Sequence, residues 1–183
     1  MTTTEWTLDA SDGELLVKTD VAGRAARMGH RLTIALTTWE ATVTWTADEP
    51  AGVVLTADVD SLQVLRGEGG ATPLLGPEKK VARSNALGVL QPDRFPQIRF
   101  HSDAISKTAD GYRITGSLEI HGTDRECVVD LRVDDRGDTW QMASETEVRH
   151  SDFGMKPYSM FLGSMKVADA VTVLFTAEHA KNG

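Results

Sequence analysis

From Trp39 to Ala47 every second residue is Trp, Ala or Val: Trp39, Ala41, Val43, Trp45 and Ala47 alternate with Glu40, Thr42, Thr44 and Thr46. A strand, with its two-residue side-chain period, sorts such a segment into one dry face and one wet face. The same alternation runs through most of the chain. Val53, Leu55, Ala57 and Val59 oppose Thr56, Asp58 and Asp60, and the turn-forming stretch 48–52 joins this run to the first as a hairpin. Ile98, Phe100 and Ala104 define the next strand, followed across an Ala109-Asp110-Gly111 turn by Tyr112, Ile114, Leu118 and Ile120. Cys127, Val129, Leu131 and Val133 come next. A turn at 134–138 leads to Trp140, Met142 and Val148, and Val171, Val173, Phe175 and Ala177 close the chain. Trp6 with Leu8, and Leu15 with Val17, read as two further strands near the start.

Between Leu32 and Ala47 the parity changes. Leu32, Ile34 and Leu36 are even-numbered and Trp39 onward odd-numbered, with no Gly, Pro or Asn between them. That predicts one long bent strand with a bulge near Thr37 and Thr38. The other interruption is helical. Val81, Ala82, Ala86, Leu87 and Leu90 lie near helical spacing behind Pro77, which suits a first helical turn, and predict one crossover helix over 77–90. A flexible loop, 66–73, is expected before it and a Pro-bounded loop, 92–96, after it. Strands of one amphipathic character flank both loops, so residues 1–183 read as a single domain. The fold expected is all-β: an extended, eight-stranded, antiparallel barrel, with a two-sheet sandwich as its rival.

Composition narrows the functional classes. The formal charge of -8 is opposite to the balance a nucleic-acid partner favours. One cysteine, Cys127, makes no internal disulfide. No apolar run approaches the roughly 18 residues of a membrane-spanning helix. Residues 1–6 lack the basic and apolar regions of a signal peptide, so the expectation is a cytoplasmic protein.

Catalytic patterns are scarce. There is no G-x-S-x-G elbow, no phosphate-binding G-x-x-x-x-G-K and no G-x-G-x-x-G. None of His30, His101, His121, His150 and His179 is spaced as H-x-H or H-x-x-x-H, so no metal site is expected. Asp58 with Asp60, and Glu145 with Glu147, share strand faces, but those faces oppose the apolar ones and read as solvated. Cys127 has the parity of Val129 and Leu131 and reads as a small buried hydrophobe. Lys79, Lys80 and Arg83 read as the exposed face of the helix. The alternative enzymatic reading places His30, His150 and Asp152 together at a barrel rim. The segment Met155–Met165 holds three of the six methionines together with Tyr158, Phe161 and Leu162. It reads either as a loop plugging one barrel end or as an adaptable apolar mouth. An interaction module that docks a partner or a second copy of the chain, a homodimer, through this loop is a third reading.

Several short motifs, in order and at consistent spacing, carry a resemblance: Trp6-Thr7-Leu8-Asp9, Val59-Asp60-Ser61-Leu62, 95–102 beginning Phe95-Pro96, Gly116-Ser117-Leu118-Glu119-Ile120-His121-Gly122, Ser151-Asp152-Phe153-Gly154-Met155 and Val167-Ala168-Asp169-Ala170-Val171. Over nearly its whole length the chain resembles the YceI-like family, lipocalin-like proteins associated with polyisoprenoid binding. Gly29-His30, Leu65-Arg66-Gly67-Glu68-Gly69-Gly70 and Lys156-Pro157-Tyr158-Ser159 are similar to a subgroup without signal peptides. The resemblance implies an eight-stranded barrel around a long apolar channel, a helix over one opening, and binding without catalysis, metal or cofactor. The implied ligand is a polyisoprenoid, quinone-like or fatty-acyl chain. The candidate binding residues are Trp45, Phe100, Ile114, Leu118, Val129, Leu131, Trp140, Met142, Val173 and Phe175 in the channel, with Met155, Tyr158, Met160 and Phe161 at the mouth.

Overall fold

The structure is a computed structural model and describes residues 2–181. Its strands are β1 (Thr3–Asp9), β2 (Gly13–Lys18), β3 (Val21–Ala22), β4 (His30–Leu36), β5 (Trp39–Thr46), β6 (Glu49–Asp58) and β7 (Leu62–Gly69) before the helix α1 (Gly76–Leu90). After it come β8 (Gln97–Lys107), β9 (Gly111–Ile120), β10 (Thr123–Asp135), β11 (Thr139–Arg149), β12 (Ser159–Met160), β13 (Met165–Val167) and β14 (Ala170–Ala180). Eleven of them form one antiparallel sheet in the order β1-β5-β6-β8-β9-β10-β11-β14-β2-β4-β7, and β12-β13-β3 form a small second sheet.

The sheet therefore has eleven strands, not the eight expected. Two local causes account for much of the difference. At Thr37–Thr38 the long run divides, because Thr37 leaves the ladder and its hydroxyl donates to the Ser61 carbonyl at 2.8 Å. On one side of the break β4 pairs with β2 and β7; on the other β5 pairs with β1 and β6. The second cause is β7, which occupies much of what reads as a flexible glycine loop. Gly67 belongs to that strand, where it pairs with Leu32, and a Cβ there would lie 2.8 Å from Leu74 Cδ2. The glycine serves close packing, not mobility.

Chain continuity explains the curvature. β5 lies near one end of the strand order and β4 near the other, yet only two residues separate them in the chain. Both ends of the sheet must come together, and the sheet curls into a half-barrel with its apolar face inside. Leu8, Leu15, Ile34, Leu36, Trp39, Ala41, Ala57, Leu62, Met142 and Ala177 are buried as one cluster on that face. The Trp39 ring meets Phe175 edge-on, with centroids 5.4 Å apart.

Two parity expectations fail. Ala47, expected on the dry face of the Trp39 run, lies exposed in the turn after β5 with φ 56°. The reading puts Ala104 inward with Ile98 and Phe100, but the β8–β9 register shifts between His101 and Ala104. Ser102 is buried at the bulge, where its hydroxyl donates to the Thr115 carbonyl at 2.6 Å and accepts the Ala104 N–H at 3.0 Å. Ala104 turns out, and Ile105 faces Ile114 instead.

The helix matches its expected span closely. Pro77 sits in its first turn, and Gln91 ends it in a left-handed conformation with φ 54°, its N–H bonded to the Leu87 carbonyl. The Gln91 side chain meets His121 Nε2 at 2.9 Å, tying the helix end to the β9–β10 turn. Arg83 is not on the free face. It reaches the turn before β7, donating from Nε to Leu62 O and from an Nη to Asp60 O, both at 2.7 Å.

Candidate functional site

The inner face of the curled sheet and the underside of α1 enclose a cavity of about 960 Å³. That volume is within the range of small-molecule sites. Every strand of the main sheet contributes to its wall, because each places its apolar parity set inward. Trp45, Phe100, Ile114, Leu118, Val129, Leu131, Trp140, Met142, Val173 and Phe175 all line it, as do Met155, Tyr158, Met160 and Phe161. The structure brings all fourteen candidate residues to one space.

The two ends of the cavity differ. At one end Trp6 packs on Trp45 with centroids 4.5 Å apart and stacks on His179 at 4.0 Å, and Trp140 pairs with His179 across the β11–β14 ladder. Trp45 Nε1 is buried there without a hydrogen-bond partner. The Trp45 end lies at the opposite end of β6 from Asp58, which pairs with Gln97 near the helix. At the helix end, Ala82, Ala86 and Val89 line the cavity from one face of α1, and Val89 and Leu90 pack on Ile120, Phe153 and Met155.

A close approach positions Phe100. Its partner across the β8–β9 ladder is Leu118, and its ring lies against Gly116 two residues away along β9, where a Cβ would lie 2.8 Å from the ring and clash with the His101 carbonyl. The glycine of the Gly116–Gly122 motif thus admits an aromatic ring to the channel wall.

The Met155–Met165 segment does two jobs. Met155 is buried with Phe153 and Ile120 and closes the wall. Met160 and Phe161 line the cavity while remaining 40% and 53% exposed, so they mark its opening. Met28 and Val81 have the same double character, and nothing in the sequence pattern singles out Met28. The lining residues Ala82 and Ala86 were legible as the apolar spacing of the helix, and Ile105 was hidden by the bulge.

Of the three rim residues of the enzymatic reading, two border the main cavity and Asp152 a separate one. His30 and His150 both line the cavity, but His30 Nε2 donates to the Thr72 carbonyl at 2.6 Å and His150 Nδ1 to the Asp169 carbonyl at 2.8 Å. Asp152 borders a separate small cleft with Arg125, whose Nε donates to the Asp152 carbonyl at 2.7 Å. Among the described residues no group of three or more His, Cys, Asp or Glu side chains is placed to hold a metal. Cys127 lines the cavity, and burial pushes its thiol above the usual cysteine pKa, opposite to the activation a nucleophile needs. Among the described residues no helix is long and apolar enough to cross a membrane.

Known proteins place this architecture. The chain is similar in fold to Burkholderia cenocepacia BcnA, with a TM-score of 0.72 and 20% identity over 94% of this chain and 99% of that one. It is also similar to the Campylobacter jejuni YceI protein, with a TM-score of 0.60 and 13% identity over 81% and 84% of the two chains. No curated protein matches it in sequence. The family model of the YceI-like domain matches residues 6–179. With a lipocalin-like binding fold and that match over nearly its full length, the chain belongs to the YceI-like family.

Proposed function

We propose that the protein binds, carries or stores one long apolar molecule, a polyisoprenoid, quinone-like or fatty-acyl chain, inside the curled sheet, without catalysis or cofactor. The observation that carries this reading is the apolar cavity of about 960 Å³, walled by all eleven strands of the main sheet and covered by α1. Each methylene buried there contributes roughly 0.8 kcal/mol, so a few isoprene or acyl units supply several kcal/mol before ordering costs are subtracted. Selection then falls on length and width more than on a head group. The single cysteine, with no disulfide to protect, suits a reducing, cytoplasmic setting.

The test is organic extraction of protein purified without added lipid, followed by mass spectrometry. The reading expects a long-chain species recovered near one per protein and absent from an equally treated unrelated protein. Recovery of no apolar species, together with failure to bind any offered acyl or prenyl chain, contradicts it.

A further inference from the structure

We propose that the cavity mouth is a docking surface for an anionic lipid bilayer. The inference rests on the reading of the cavity as an apolar-ligand channel and adds where the ligand is exchanged. Four large apolar side chains both line the cavity and stay well exposed, Met28, Val81, Met160 and Phe161, and they come from three separate segments. These segments meet at one end of the molecule. β13 pairs with both β3 and β12, the Ala25 N–H bonds to the Ser164 carbonyl, and His30 reaches the Thr72 carbonyl in the loop leading to α1. Leu162 follows at the tip and is fully exposed.

The tip is held out at a conformational cost. Phe161 and Leu162 have φ of 53° and 56°, a left-handed conformation that disfavours bulky residues. Two consecutive residues in that region displaying apolar side chains to water call for an occupant that recovers the cost.

Charge identifies the occupant. The three segments that bear the lip, 20–31, 76–83 and 156–167, contain eight of the nineteen basic residues and only two of the twenty-seven acidic ones. Arg24, Arg27, Lys80, Lys156 and Lys166 are exposed, and none makes an ion pair among the described residues. The rest of the chain is correspondingly acidic. An apolar lip set in a basic collar on an otherwise acidic protein complements the acyl boundary and anionic head groups of a bilayer. It also orients the molecule, because the acidic remainder is repelled. Docked in this way, the mouth opens onto the phase where a long apolar ligand is soluble.

Flotation with vesicles tests this on the full chain. The inference expects binding to phosphatidylcholine vesicles containing about 30 mol% phosphatidylglycerol at low salt, weakened by salt and weaker on pure phosphatidylcholine. Leu162→Glu should lower partitioning about tenfold, and Arg24→Glu with Lys80→Glu should do so by roughly fivefold or more per residue. None of these three residues lines the cavity, so uptake of a soluble fluorescent fatty acid, measured alongside, should be unchanged. No binding to the anionic vesicles, or binding that the three substitutions leave intact, overturns the proposal. So does self-association in sedimentation velocity that Leu162→Glu abolishes without vesicle binding, which would make a second copy the occupant. Fatty-acid uptake without docking defeats this inference alone, whereas docking without uptake supports it and defeats the carrier reading.

Discussion

The Arg83 guanidinium spans from α1 to the start of β7, its Nε donating to the main-chain carbonyl of Leu62 at 2.7 Å. A second donor of the same side chain reaches Asp60 O, also at 2.7 Å. This half-buried arginine fastens the helix that covers the cavity to the turn between β6 and β7. Charged hydrogen bonds of this kind are worth about 1.5–3 kcal/mol where shielded and less where wet. Arg83→Ala should therefore cost about 1–2 kcal/mol and lower Tm by a few degrees. Arg83→Lys should recover only part of the loss, since one ammonium cannot reproduce the rigid fork. Thermal unfolding of the three proteins checks this; equal Tm values would contradict the clamp.

Val173 lies in the cavity wall between Val17 and Thr146. In a filled core, Val→Trp overpacks and costs about 1–3 kcal/mol or more. In an open channel the ring has space to occupy, so Val173→Trp should fold with near-normal stability while losing uptake of a long-chain fatty acid. Urea unfolding and a fluorescent fatty-acid titration measure the two effects. A variant that unfolds readily yet binds normally would contradict the hollow wall.

Cys127 reports on occupancy from inside. Burial raises its thiol pKa, so its thiolate is scarcer at pH 8 than that of an exposed cysteine. Labelling by a maleimide should be slower than for a free thiol and slower again when a long-chain fatty acid is loaded. Ligand-independent labelling at the free-thiol rate would show that the wall does not hold the chain.

Much of this arrangement was legible in the sequence because strand parity is a strict two-residue code. Ten of the fourteen candidate residues reach the cavity because Trp45, Phe100, Leu131, Phe175 and their parity partners have only one inward side. Parity is blind to events that reset it. The Ser102 bulge exchanged Ala104 for Ile105, and Thr37 divided one strand into two. It also says little about segments without a period, so Met28 on a short 3-10 turn and the split roles of Met155 and Phe161 emerged only in three dimensions. Arg83 looked like a solvated helix charge because its acceptors are main-chain carbonyls, which no sequence pattern displays.

Asp169 anchors the turn that feeds Met155 into the wall. Its carboxylate accepts the Ser151 hydroxyl at 2.6 Å and the Ser151 N–H at 2.9 Å, and these bonds hold its pKa below the usual carboxylate value. A carboxylate depressed in the folded state stabilises the fold above its unfolded pKa of about 3.9. That contribution is lost as pH falls through the lower folded value. Asp169→Asn should thus lower Tm at pH 6, with the gap to the parent protein narrowing as pH falls below about 4. A gap that stays constant down to acid would contradict the role assigned to the carboxylate.

Whether the curled sheet holds one apolar chain is visible in electron density. A high-resolution crystal structure of protein purified without added lipid addresses it directly. Continuous elongated density is expected to run from beneath Ala86 and Val89 toward the Trp6–Trp45 end, in contact with Phe100, Leu118 and Val173. Opposing side chains meeting across the interior, with no space and no density between them, would contradict it.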